Sequence, residues 1–298
     1  MWDELQFAFA LTVSGLSIGL MYSLIALGFV LVYKATEAIN FAQGEFVMLA
    51  GFVAALVLAV KGMPVLTGVG AAVAVMVAFG FALERVVLRP LLGRPIIAVI
   101  MATIGLGAIL RGLPPITVGG ETRAVLLNIG DLPIGIGPVS LPPVQILGVV
   151  VTLAFLGLFT WFFMKSRMGV AMRAVADNQQ VAMAMGINVE RYFALAWAMA
   201  GIVSALGGVI WGSMLGVDVH LALIGLKVFP VVILGGLDSI VGAVVGGLIV
   251  GVVESLAAGY LDPYVGGGTK DFAPYVLMIV ALMFKPYGIF GTERIERV

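Results

Sequence analysis

The sequence predicts an all-α fold, a polytopic bundle of membrane-spanning helices, and three observations carry that prediction. Of 298 residues, 62% are hydrophobic and 11% charged, against about 45–50% and about 25% in ordinary soluble domains. Apolar residues run on without interruption for about the 20 positions that a helix needs to cross a bilayer. They lack the in–out alternation of a membrane barrel. Mean hydropathy is +1.18. A water-soluble enzyme is excluded, because too few charged side chains exist to clothe its surface.

The runs, in order, are Leu5–Tyr33, Phe41–Val60, Val65–Leu83, Ile96–Leu110, Val144–Met164, Tyr192–Leu215, Ile240–Ala258 and Phe272–Phe284. That makes about eight spans. A shorter piece, Val228–Leu237, contains Pro230 and the Gly235-Gly236 pair and reads as a broken or re-entrant segment. The whole chain, 1–298, reads as one transmembrane domain. Gly112–Pro143, rich in proline and glycine, reads as an ordered loop or short hairpin. Lys165–Arg191 carries Lys165, Arg167, Arg173 and Arg191, and the third connection carries Arg85, Arg89 and Arg94. The positive-inside rule puts these two connections in the cytoplasm, and 112–143 and the N-terminus, with Asp3 and Glu4, outside. The side of the C-terminus, with Lys285, Arg294 and Arg297, turns on whether Val228–Leu237 crosses. The acidic opening MWDELQF argues against a cleaved secretory signal.

Composition removes whole classes of chemistry. There is no cysteine and one histidine, His220, so thiolate metal sites, disulfides and imidazole clusters are excluded. No phosphate-cradling G-x-x-x-x-G-K-[ST] run occurs. The 16 basic and 16 acidic residues cancel, leaving no surplus charge to attract nucleic acid.

Two stretches carry polar groups where the lipid argument makes them expensive. Asn40-Phe41-Ala42-Gln43-Gly44-Glu45 opens the second run, with Asn40 and Gln43 at capping-box spacing and Glu45 in the second turn. An acid inside an apolar run needs a partner. The stretch is either an interfacial cap whose Glu45 reaches the headgroups, or a helix start facing a translocation path. Val170–Ile187 is the second. Asp177 with Gln180 gives another capping-box pattern and Gly186 a left-handed stop. These bound a helix over Asn178–Met185 that presents Val181, Ala182 and Met185. Arg173 and Asp177, one turn apart, can pair. Such a helix either lies on the bilayer surface or docks on a partner.

Smaller signals follow. Ile96–Leu110, with Pro95 and Gly105-Leu106-Gly107, and Val228–Leu237 read as interrupted segments of the kind that flank substrate sites, with Thr103, Asp238 and Ser239 beside them. Gly15/Gly19, Gly242/Gly246 and Gly247/Gly251 have the spacing of close-packed helix faces. Glu254 can snorkel to the interface. His220 reads as a surface pair with Asp218, and the scattered methionines as packing residues.

Three blocks in order resemble LivH-type permeases of branched-chain amino acid ABC transporters. They are GLSIGLMYSLIALGFVLVYKATEAINFAQGEFVMLAGF, MGVAMRAVADNQQVAMAMGINVERYFALAWAMAGIVSALGGVIWG and FPVVILGGLDSIVGAVVGGLIVGVVES. The resemblance covers nearly the whole chain. It implies an ABC-importer permease fold in the bacterial inner membrane, a second related permease, two cytoplasmic ATPase subunits and a periplasmic binding protein. The chain itself is then no enzyme and holds no cofactor; ATP and magnesium belong to the ATPases. The substrates implied are leucine, isoleucine and valine, with other amino acids, urea or short amides taken by some relatives. An ion-coupled secondary transporter is the competing class, supported only by Glu45 and Glu254. By motif match, Asn40, Phe41, Gln43, Gly44 and Glu45 fall in the signature preceding the second span; they, and Thr103 from the interrupted fourth run, are expected along the substrate path. Arg173, Ala174, Asp177, Asn178, Ala182 and Gly186 fall in the segment that contacts the ATPase. Many relatives have histidine where Gln43 stands, so no proton role attaches to that position.

Overall fold

The computed structural model describes residues 2–60, 63–91, 94–130, 132–137 and 139–292. The charges Arg294 and Arg297, on which the C-terminal side was weighed, lie outside them. Twelve α-helices follow in order among the described residues: α1 Trp2–Thr36, α2 Gln43–Leu58, α3 Val65–Leu83, α4 Ile96–Thr117, α5 Pro143–Lys165 and α6 Arg167–Asp177. Then come α7 Gln179–Ala184, α8 Val189–Leu215, α9 Ile224–Gly235, α10 Ile240–Tyr260, α11 Asp262–Val265 and α12 Thr269–Phe284. A small antiparallel hairpin, β1 Ile134–Ile136 with β2 Val139–Leu141, fills part of the proline-rich connection. Among the described residues six helical stretches are long and apolar enough to cross a membrane, and the chain is a multi-pass membrane protein. The expected runs at Phe41–Val60 and Phe272–Phe284 form helices of 16 residues each.

The chain packs as two compact units. One gathers Met1–Val30, Ile129–Thr152 and Leu226–Val298; the other gathers Leu31–Asn128 and Leu153–Gly225. In the first, α1 and α10 meet along glycines. A Cβ on Gly15 would lie 2.6 Å from the Gly251 carbonyl oxygen, and one on Gly19 would collide with the Gly247 carbonyl. Small residues on both faces are what allow this approach in lipid, where packing rather than water exclusion drives association. The expected glycine faces are borne out.

In the second unit α8 is central, packed by α2 and α3. Its apolar window is 83% buried, against 17% for α4, which turns most of its surface outward. Phe46 anchors the core edge-on to Phe79, at 5.2 Å between centroids, and beside Trp197.

Several boundaries differ from expectation for identifiable reasons. α3 does not stop at Leu83: a π turn, Glu84–Leu88, and a 3-10 turn, Arg89–Leu91, prolong it. Arg85 and Arg89 therefore lie on a helix, and Arg89 is held by two bonds to the buried Glu84 carboxylate, at 3.0 and 3.2 Å. α4 does not end at Leu110 and is not interrupted at Gly105-Leu106-Gly107. It runs 22 residues to Thr117, since a helical glycine costs only about 1 kcal/mol. Pro114 and Pro115 are accommodated near its end, leaving the Leu110 and Arg111 carbonyls without their helical N–H partners. Pro230 is likewise accommodated inside α9, which is 12 residues long. At about 1.5 Å per residue it is too short to cross the hydrocarbon. It ends at Gly236, whose φ of +108° only glycine adopts readily.

Candidate substrate path and coupling segment

The Asn40–Glu45 stretch is assembled from three helices of the second unit. Asn40 is buried; its side-chain oxygen accepts from the Ala42 N–H at 3.1 Å, and its amide donates to Gln43 Oε1 at 3.1 Å. Gln43 passes the chain on, donating to Ser204 Oγ on α8 at 3.0 Å. The Phe41 N–H donates to Thr103 Oγ1 on α4 at 3.3 Å, and Thr103 donates to the Ile100 carbonyl. The expected capping box does not form. Asn40 closes a tight turn instead, α2 begins at Gln43, and Glu45 falls in its first turn. The side chains that would have capped are spent on α8 and on each other. Ser204 stands near the middle of the 27-residue α8, so α2 starts level with that middle.

Glu45 does not reach outward. It is 3% exposed and forms an ion pair with Arg111 of α4. Gly107, one turn before Arg111, makes room: a Cβ there would lie 3.2 Å from the Glu45 carboxyl carbon. Gly44 faces Gly225 backbone to backbone, and a Cβ on Gly225 would sit 2.6 Å from the Gly44 Cα. Asn40, Phe41, Gln43, Gly44, Glu45 and Thr103 are thus one constellation. Arg111 and Ser204 belong to it and were missed. An unpartnered Glu45 beside a basic residue just past an apolar run was the available signal for Arg111; nothing in the sequence singled out Ser204.

The helix expected over Asn178–Met185 is present as α7, and a further helix, α6, precedes it. α6 is capped by Ser166, whose hydroxyl accepts from the Gly169 N–H at 2.9 Å. α7 is capped by Asn178, not Asp177, through Asn178 Oδ1 and the Val181 N–H at 2.9 Å. Asp177 closes α6, and both residue types can cap, so the extended backbone at Asn178 decides. Gly186 takes the left-handed stop at φ +81°. The Ile187 N–H bonds the Ala182 carbonyl and the Gly186 N–H the Met183 carbonyl, the double-bonded glycine termination. Ala182 is not presented: it is 3% exposed, whereas Met185 is 78% exposed, with Val181 and Met183 beside it. Arg173 does not pair with Asp177. It bonds the Phe163 carbonyl and stacks on the Phe163 ring, 5.6 Å from the centroid, with Ala174 half-buried next to it. Gln179 ties α7 to the end of α1 through the Ala35 carbonyl at 3.2 Å.

In the first unit Glu254 is buried, 8% exposed, and does not snorkel. Tyr22 donates to it at 3.2 Å, and Lys227 stands 3.8 Å away while pairing closely with Asp271 at 2.6 Å. Ser239 caps α10 and Asp238 accepts from Thr292, so both serve helix ends and turns. His220 and Asp218 form the expected surface pair, 3.5 Å apart. Partial burial pushes the Asp218 carboxyl up, but bonds from the His220 N–H and the Thr122 hydroxyl outweigh it and hold the group below its ordinary value.

Comparison with known proteins bears on all of this. Residues 11–283 match the family described as branched-chain amino acid transport system, permease component. The high-affinity branched-chain amino acid transport system permease protein LivH of Escherichia coli strain K12 is 33% identical, over 96% of each chain. BraD of Pseudomonas aeruginosa, with the same description, is 34% identical over 96% of each. Among solved structures, PsaBC from Streptococcus pneumoniae in complex with Fab superposes with a TM-score of 0.51 at 13% identity, covering 94% of this chain and 92% of that one. That likeness speaks to the fold alone. Matched along nearly its whole length, and with its polar groups gathered where three apolar helices meet, the chain belongs to the family of permease components of branched-chain amino acid transport systems.

Proposed function

We propose that the chain is one permease subunit of an ATP-driven importer of branched-chain amino acids in the bacterial inner membrane. The observation that carries the reading is the start of α2 at the level of mid-α8, with Asn40, Gln43 and Glu45 drawn together by Ser204, Thr103 and Arg111. A zwitterionic amino acid presents a carboxylate for an arginine or a helix N-terminus and an ammonium for a glutamate. Glu45 and Arg111 supply both. The adjoining Phe41 offers an apolar surface, while Gly44 lets α2 close on Gly225. Partners complete the machine: a second related permease, two cytoplasmic ATPases holding ATP and magnesium, and a periplasmic binding protein that supplies most of the affinity. Residues 1–298 act as a single transport domain, with 165–191 facing the ATPases and 112–143 facing the periplasm.

α7 is the docking peg, with Arg173, Ala174, Asp177 and Asn178 at its approach and Gly186 at its stop. Because Ala182 faces inward, Met185→Asp is the variant that tests docking. It leaves membrane abundance intact and uncouples ATP hydrolysis from uptake. In the assembled, reconstituted transporter, Glu45→Gln lowers leucine uptake without lowering abundance or basal hydrolysis. Leucine uptake at the native rate by Glu45→Gln, or uptake by the isolated chain driven by an ion gradient, sinks the proposal.

A further inference from the structure

Beside the Phe41–Thr103 contact the second unit holds a cavity of about 90 Å³, open on one side and bordered by the end of α3, by α4, α7 and α8, and by Thr36 and Ala38. A cavity needs about 10–15 Å³ to hold one water, so this one has room for a molecule of small amino-acid size. Its lining combines three chemistries. Glu84 is a buried carboxylate with two bonds from Arg89, and Arg89 also pairs with Glu190 at 3.0 Å. Arg94 lines the cavity and makes no ion pair among the described residues. Trp197 is fully buried, borders the space, and its indole N–H has no partner among the described residues. Val99 and Phe193 give an apolar wall.

We infer that this cavity is a binding site for a free, zwitterionic aliphatic amino acid passing between the Asn40–Glu45 constellation and the cytoplasm. The inference rests on the transport reading above and names a station within it. A carboxylate accepts up to about four hydrogen bonds through its two oxygens, so Glu84 keeps capacity for an ammonium after binding Arg89. Arg94 takes a ligand carboxylate, and a branched side chain rests on Val99 and Phe193 beside Trp197. Val99 lies one turn before Thr103 and Ala38 two residues before Asn40, which puts the cavity directly against the constellation. An inorganic anion meets the Glu84 carboxylate and is disfavoured; urea lacks the charge pair. Gln179 of α7 also borders the cavity and bonds the Ala35 carbonyl.

The test uses the full chain with Trp197 as its sole tryptophan, Trp2, Trp161 and Trp211 being replaced by Phe, purified in detergent. Titration with L-leucine gives a saturable shift of Trp197 emission, and inorganic phosphate and urea give none. Arg94→Glu weakens the leucine response about tenfold, the worth of one charge-assisted bond. In the assembled transporter Val99→Phe, which fills the cavity, lowers maximal leucine uptake with KM unchanged, since the binding protein sets KM. No leucine response, an equal response to phosphate, or native uptake by Val99→Phe overturns the inference. If the unmodified transporter moves no aliphatic amino acid, the transport reading falls instead, so the two failures are told apart.

Discussion

Glu45 and Glu254 are both acids buried in apolar helices, one in each unit, and they are satisfied differently. Glu45 has a guanidinium in direct contact and a glycine, Gly107, opposite its carboxylate. Glu254 has a phenol at 3.2 Å and an ammonium at 3.8 Å that is already committed to Asp271, and its second oxygen bonds nothing among the described residues. Arginine's planar fork suits a fixed carboxylate, whereas lysine is a movable point charge shared among acceptors. In the first arrangement the acid has a cation of its own; in the second it shares one with Asp271. A buried acid in a membrane helix therefore does not identify a substrate site until its partner is known.

The comparison is sharpest at the cations. Arg111→Ala strands the Glu45 charge and costs about 3 kcal/mol, the lower end for breaking a buried pair because Arg111 is half exposed. Lys227→Ala costs about 1 kcal/mol, its contact with Glu254 being long and its better contact exposed. Thermal unfolding of the two purified variants checks the order, and equal losses break the comparison. Ser204→Ala comes next to Arg111: it leaves the buried Gln43 amide without an acceptor, at about 1–2 kcal/mol. Ser204→Thr keeps the hydroxyl and restores most of that loss. The smallest effect lies outside the spans, at Asp262. Bonds from the Thr269 hydroxyl and N–H hold its carboxyl below the ordinary value. A lowered native value stabilises above the unfolded value, about 3.9, and the gain is lost as pH falls through the native one. Thr269→Val is thus less stable than the native chain at neutral pH, and the two melting curves converge in acid.

Most helices were legible because bilayer thickness forces long apolar runs; α3 begins at Val65 and α10 at Ile240, as their patterns predict. The reading failed where a charge or a proline was taken as a boundary. Arg111 was one residue beyond the fourth run, so the helix was stopped just short of the partner that Glu45 required. Local capping patterns misled for a related reason. Asn40, Gln43 and Asp177 all have side chains able to cap, but which polar group meets which depends on residues such as Thr103 and Ser204, distant in sequence and close in space. Gly186 was legible because a left-handed stop is a property of one residue. The contacts of Glu254 were not, since Tyr22, Lys227 and Asp271 come from three other helices.

The glycine contact between α1 and α10 also has a mechanical meaning. Where Gly15 and Gly19 meet Gly251 and Gly247, main chain bears on main chain, with no side chain between them to change rotamer. Axial slip would have to lift one backbone over the next, so gradual shear along this contact is obstructed. α1 is 35 residues long, about 52 Å at helical rise, and over its glycine stretch it is clamped to α10 like a beam in a bracket. Displacement of α10 drags that stretch with it, and rocking in one piece is the motion this contact leaves open.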